Sequence, residues 1–128
     1  MMTLRAYELD DPVSSVMTKG ILYIESSKNL QEAVIIMSDF DVGSLLVADN
    51  GNAVGILTSK DIIKVLSTNQ NLREIKVKEI MQTPIIKIKA IDTISSALLK
   101  MKEEKINHLI VVDGEKIIGM VNPLNLLV

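Results

Sequence analysis

The chain has 128 residues, enough for one compact domain with a real core, and its longest apolar runs fall far short of a membrane span. Its 14 basic and 16 acidic residues are well mixed and sum to −2, and its three aromatics, Tyr7, Tyr23 and Phe40, are scattered; both features argue against a nucleic-acid surface. There is no cysteine, hence no disulfide framework, and the N-terminal segment lacks the basic and apolar regions of a signal peptide, so a cytoplasmic protein is expected.

Residues 1–10 show no strong period and read as an N-terminal extension. Asp11-Pro12 then reads as a helix start, with Asp at N-cap and Pro at N1. Val13, Val16 and Met17 give that short helix one apolar face, and Thr18-Lys19-Gly20 ends it. Ile21 to Ile24 is a short strand candidate. Asn29 is positioned to cap the next helix, whose Leu30, Ala33, Val34 and Met37 form an amphipathic stripe. Asp41-Val42-Gly43 breaks it. Ser44 to Ala48 is a buried strand, Asp49-Asn50-Gly51-Asn52 a hairpin turn, and Ala53 to Leu57 the returning arm. A helix opens at Thr58 and runs to about Leu66, carrying Ile62, Ile63, Val65 and Leu66. Ser67 to Leu72 is polar and begins a linker that covers 67–74.

The order then starts again. Shifted by 64 residues, Val13 to Lys64 overlays Val77 to Val128 without a gap. Identical pairs include Met17/Met81, Ile24/Ile88, Ala33/Ala97, Met37/Met101, Leu45/Leu109, Val47/Val111, Asp49/Asp113 and Gly55/Gly119. The second helical stripe is Ile94, Ala97, Leu98 and Met101, and the second hairpin turns at Asp113-Gly114-Glu115. Each copy reads β-α-β-β-α with a short helix in front, over 11–66 and 75–128. A copy of about 50 residues buries too little surface to be secure alone. The expected fold is α/β, two copies packed sheet to sheet with pseudo-two-fold symmetry.

The chemistry-bearing stretch is Gly55-Ile56-Leu57-Thr58-Ser59-Lys60-Asp61. Thr58 and Asp61 have the spacing of a capping box, in which hydroxyl and carboxylate satisfy backbone N–H groups at a helix start. The same residues suit a ligand: a helix start attracts phosphate, and a carboxylate nearby can accept from the two hydroxyls of a ribose. The spacing alone leaves both accounts open.

The tandem repeat of about 60 residues, the element order and Gly-hydrophobic-hydrophobic-Thr-x-x-Asp resemble a CBS domain pair, or Bateman module, from Asp11 to Val128. Met17-Thr18 and Met81-Gln82 resemble the family's V-x-x-h-M-T opening of each repeat. Ser44 to Asp49 and His108 to Asp113 resemble its second strand and Asp-containing turn. The resemblance implies a stand-alone regulatory module, not an enzyme. It implies binding of AMP, ADP or ATP, AMP foremost, with S-adenosylmethionine or NAD(H) as further possibilities and no cofactor required. It further implies a homodimer and an unidentified target protein. Carried over, the first cleft uses Thr58, Ser59, Lys60 and Asp61, facing Thr83, Pro84 and Ile85 and, from the second repeat's strand, Ile106, Asn107 and His108. The second cleft uses Asn122 and Asn125 against Lys19, Ile21, Val42 and Gly43.

The repeats depart from each other here. Asn122 and Asn125 stand where Thr58 and Asp61 stand in the first copy. Asn followed by Pro123 preserves a helix start, but the carboxylate is gone and Pro123 offers no N–H to a phosphate. The first cleft is therefore expected to bind better, because a carboxylate makes the stronger, charge-assisted hydrogen bonds. A structural dimerisation module that binds no ligand is the alternative. His108 stands alone among potential metal ligands and is expected at a surface or interface, with no metal site. Met17, Met37, Met81 and Met101 recur with the repeat, which points to packing.

Overall fold

The computed structural model describes residues 7–126 and divides into two compact units. Neither unit coincides with one sequence repeat. One runs from Leu22 to Ile85; the other combines Met1–Ile21 with Ile86–Val128.

In the Leu22–Ile85 unit, β1 (Tyr23–Glu25) leads through α1 (Leu30–Phe40) to β2 (Ser44–Asp49), which turns back into β3 (Asn52–Thr58). The sheet order is β1-β2-β3, with β1 parallel and β3 antiparallel to β2. Parallel strands need a crossover, and α1 supplies it. Asn29 caps α1, accepting the Glu32 N–H at 2.9 Å. Asp41 ends it in the left-handed region at φ 52°, and the Val42 N–H closes back on Met37 O at 3.0 Å. At the hairpin, Asn50 (φ 51°) and Gly51 (φ 79°) both take positive φ, as a type I′ turn demands. Ile24, Leu30, Ala33, Met37, Leu45, Val47 and Leu57 form the core with Ile62 and Val65 of α2 (Ser59–Ser67).

The chain after α2 stays with this sheet. A 3-10 turn at Leu72–Glu74 precedes α3 (Val77–Ile80), and Ile75 and Val77 are buried in the same core. The Leu30 N–H donates to Ile75 O at 2.9 Å and the Val77 N–H to Lys28 O at 2.7 Å. Gln82 then pairs with Ile56 on the edge of β3 in both directions, at 2.8 and 3.0 Å.

The other unit repeats the plan. It contains β4 (Lys87–Lys89), α4 (Ile94–Glu104), β5 (Leu109–Asp113) and β6 (Lys116–Val121), in sheet order β4-β5-β6. Thr93 caps α4 and Lys105 ends it at φ 56°. The register shifts between Val111 and Val112, matching the shift between Val47 and Ala48 in the first sheet. Its lead segment comes from the start of the chain: Val13 is buried in this core, and Thr18 pairs with Met120 as Gln82 does with Ile56.

Three expectations need correcting. The Asp11-Pro12 helix start is a single 3-10 turn, Val13–Ser15, preceded by an extended Pro12. The Val13 N–H is already taken by Asp92 O at 2.8 Å, and the Asp11 carboxylate accepts from the Glu8 N–H instead. The first strand is Tyr23–Glu25, not Ile21 to Ile24, because its partners on β2 are Leu46 to Ala48. His108 does not lie at the free surface: it is buried, at 9% relative exposure, at the head of the buried run His108 to Val111 that leads into and forms β5.

Candidate functional site

The site is built where β3 becomes α2. Thr58 is the N-cap, extended at φ −116° and ψ 161°. Its hydroxyl accepts the Asp61 N–H at 3.3 Å and donates to Asp61 Oδ2 at 2.9 Å. The Thr58 N–H reaches the same Oδ2 at 2.8 Å. The capping box is therefore closed, and Ile62 and Val65, one turn on, fix the helix against the core. Asp61 is one of three polar or charged residues buried among those described, at 7% relative exposure.

Asp61 has one further partner. Gln82 Nε2 lies 3.0 Å from Oδ1 and 3.1 Å from Oδ2. Gln82 reaches there because its main chain pairs with Ile56 on β3. Gly55 makes that pairing possible: a Cβ at this position would meet Met81 Sδ at 2.8 Å and the Gln82 carbonyl oxygen at 2.9 Å. The glycine of the Gly-x-x-Thr-x-x-Asp stretch thus serves backbone approach.

Donors at the helix start are partly committed. Of the first three N–H groups of α2, that of Ser59 donates to Gly43 O at 2.9 Å and that of Asp61 to Thr58. The Ser59 and Lys60 side chains are exposed beside them, a hydroxyl and an ammonium available to an anion.

The equivalent place in the other unit has the opposite hydrogen-bond polarity. Asn122 Oδ1 accepts the Leu124 N–H at 2.9 Å and the Asn125 N–H at 3.3 Å, and Asn125 Oδ1 accepts the Asn122 N–H at 2.8 Å. So the amide oxygen does the capping work of Asp61 Oδ2. Asn125 Nδ2, however, donates to Thr18 Oγ1 at 2.9 Å, where Asp61 Oδ1 accepts from Gln82. Gly119 repeats the close approach, here against Met17 and the Thr18 carbonyl.

The remaining expected residues divide between the units. Thr83, Pro84 and Ile85 lie in the same unit as Thr58 to Asp61 and follow Gln82 directly; Thr83 and Pro84 are exposed. Ile106, Asn107 and His108 belong to the other unit, where His108 Nδ1 and Asn107 Oδ1 are 3.0 Å apart. Of the second set, Lys19, Ile21, Asn122 and Asn125 share a unit, while Val42 and Gly43 lie with α2. Gln82 was not among the residues expected at the site. The signal for it was internal: Thr18 and Gln82 are 64 apart, as are Asp61 and Asn125, and both pairs are exchanged. Among the described residues no cluster of His, Cys, Asp or Glu could hold a metal ion, and no helix is long and apolar enough to cross a membrane.

Two three-stranded sheets, each with a βαββ core closed by a capped helical turn, define a tandem α+β repeat protein. The chain belongs to the CBS domain family, whose model matches residues 13–68 and 77–127. An uncharacterized conserved protein from Pyrococcus horikoshii is similar at 32% identity and TM-score 0.83, covering 93% of this chain and 91% of that one. A CBS domain pair solved in complex with 5′-methylthioadenosine and S-adenosyl-L-methionine is 27% identical with TM-score 0.75, covering 89% and 94%. An arabinose 5-phosphate isomerase of Francisella tularensis is 31% identical over 112 residues, 85% of this chain and 34% of that protein. The chain spans about a third of the length of the first curated relatives it matches.

Proposed function

We propose that this chain is a regulatory module that binds an adenosyl ligand, with Asp61 accepting from the ribose and Ser59 and Lys60 beside the 5′ substituent. The observation that carries the reading is the Asp61 carboxylate: buried, held by a closed capping box, and with Oδ1 left outside that box. The 27% identical pair in complex with two adenosine-containing molecules supports the ligand class. AMP, ADP and ATP share that adenosine and add a phosphate that Lys60 suits. Binding would act by favouring the conformers that hold the ligand best, and a partner protein would respond to that shift. We assign this stretch no catalysis of its own.

The test is titration calorimetry with AMP, ADP, ATP and S-adenosylmethionine, alongside thermal melts with each. A ligand that binds only the folded state raises the melting temperature. Flat titrations with unshifted melts across the panel would defeat the reading.

One observation favours the alternative, a structural dimerisation module without ligand. The Asp61 oxygens already receive Thr58 and Gln82, so capping plus one side-chain contact accounts for them within the chain. A homodimer suits either reading. Ile35 and Phe40 on α1 and Ile63 and Leu66 on α2 are exposed large apolar residues that a second copy would cover.

A further inference from the structure

Resting on the adenosyl reading above, we propose that Gln82 sets the affinity and sugar selectivity of the Asp61 site: its side-chain amide occupies the carboxylate position that a ribose diol would take, and a ligand must displace it.

A carboxylate has about four lone-pair positions. On Asp61, Oδ2 gives its two to the Thr58 N–H and hydroxyl, at 2.8 and 2.9 Å. Those bonds close the cap of α2 and are not available without loosening the helix. Oδ1 receives Gln82 Nε2 at 3.0 Å, and the same nitrogen leans on Oδ2 at 3.1 Å. A ribose diol brings two O–H donors and finds one open acceptor position. With Gln82 removed it finds two.

The geometry also makes displacement easy. The Gln82 main chain is fixed by both bonds to Ile56, at 2.8 and 3.0 Å, so the backbone stays while the side chain rotates. Gln82 is exposed, and its amide can return to water. The other unit shows that the pairing is matched to the carboxylate. There the helix carries the amide, Asn125, and the lead segment carries the hydroxyl, Thr18, so donor and acceptor sides are exchanged together. The contact in each unit is complementary, and only the Asp61 version leaves an anionic acceptor that a diol can win.

The experiment compares the full chain with Gln82→Ala and Gln82→Val, neither of which can donate to Asp61; valine keeps the β-branched shape of Thr18, the residue at the equivalent position of the first repeat. Calorimetry is run with AMP, ATP and S-adenosylmethionine, and with their 2′,3′-dideoxy counterparts. Losing one part-buried, charge-assisted contact is expected to tighten the ribose ligands about fivefold in both variants. The dideoxy counterparts, which have no diol to bind Asp61, are expected to bind the three proteins equally. An equal gain for both ligand sets would show a steric or structural effect and overturn the proposal. So would unchanged or weakened binding of the ribose ligands. Absence of binding by every ligand to every protein overturns the adenosyl reading itself, and the role of Gln82 with it. Thermal melts without ligand check that each variant is folded, and Gln82→Val carries the test if Gln82→Ala is not.

Discussion

Gln82 Nε2 lies between the two carboxylate oxygens of Asp61, 3.0 Å from one and 3.1 Å from the other. The two residues are 21 apart in sequence and meet because Gly55 lets the Met81-Gln82 backbone come within bonding distance of β3. A helix cap is thereby joined to a segment that arrives after α3. Asp61 is at once a capping residue and the proposed ribose acceptor, and the two roles can be separated.

Asp61→Asn should separate them. An amide oxygen can still accept the Thr58 N–H, as Asn125 Oδ1 accepts the Asn122 N–H. Stability should fall by less than about 1 kcal/mol, whereas Asp61→Ala, which removes the cap acceptor, should cost about 1–2 kcal/mol. Adenosyl-ligand affinity should drop strongly in both. Urea denaturation and calorimetry on the two variants measure this; equal affinity in wild type and Asp61→Asn would remove Asp61 from the binding site.

Gly55 and Gly51 should respond differently to alanine. At Gly55 the new methyl meets a sulfur at 2.8 Å and a backbone oxygen at 2.9 Å, so the lead segment must shift, at about 2 kcal/mol or more. At Gly51 nothing lies within 4 Å, and only the φ of +79° opposes a side chain, at about 1 kcal/mol. Chemical denaturation of both variants ranks them.

The caps at Asn29 and Thr93 are equivalent and should behave so. Each side chain accepts one N–H at the start of an 11-residue helix. Alanine at either should cost about 1 kcal/mol. Since each cap serves a separate core, the double variant should lose about the sum of the two. Melting curves of the two single variants and the double test the additivity.

Ile63 and Leu66 are exposed on α2 while Ile62 and Val65 face the core. Replacing Ile63 and Leu66 with Lys should change the stability of the isolated chain by no more than about 0.5 kcal/mol each. If α2 lies at a homodimer interface, light scattering will show the double variant at half the wild-type mass. An unchanged mass would place the interface elsewhere.

Local signals carried much of the fold. The α1 stripe, the Asn29 cap, the Asn50-Gly51 turn and the Thr58–Asp61 box are each set by residues within seven positions of one another, and each is found in the structure. The 64-residue repeat supplied the second sheet from the first. What could not be read locally was decided by distant partners. Asp11-Pro12 has the chemistry of a helix start, but the Asp92 carbonyl claims the Val13 N–H first. His108 looks polar in sequence and is buried with the strand it precedes. Gln82 stood in plain view next to Met81, but nothing within a few residues of it shows that its side chain lies on Asp61. Only the exchange of two repeat positions at once, Thr18 for Gln82 and Asn125 for Asp61, points to that contact.

The interleaving of the two units bears on how the protein is made. Leu22–Ile85 is one unbroken stretch, so a ribosome delivers every strand and helix of that sheet before Ile86 is joined. Residues 7 to 21 precede that stretch and wait for hydrogen-bonding partners, Asp92 and Met120, that are translated only after it. Synthesis therefore favours a nested order, with the inner sheet complete while the opening segment is still without its own.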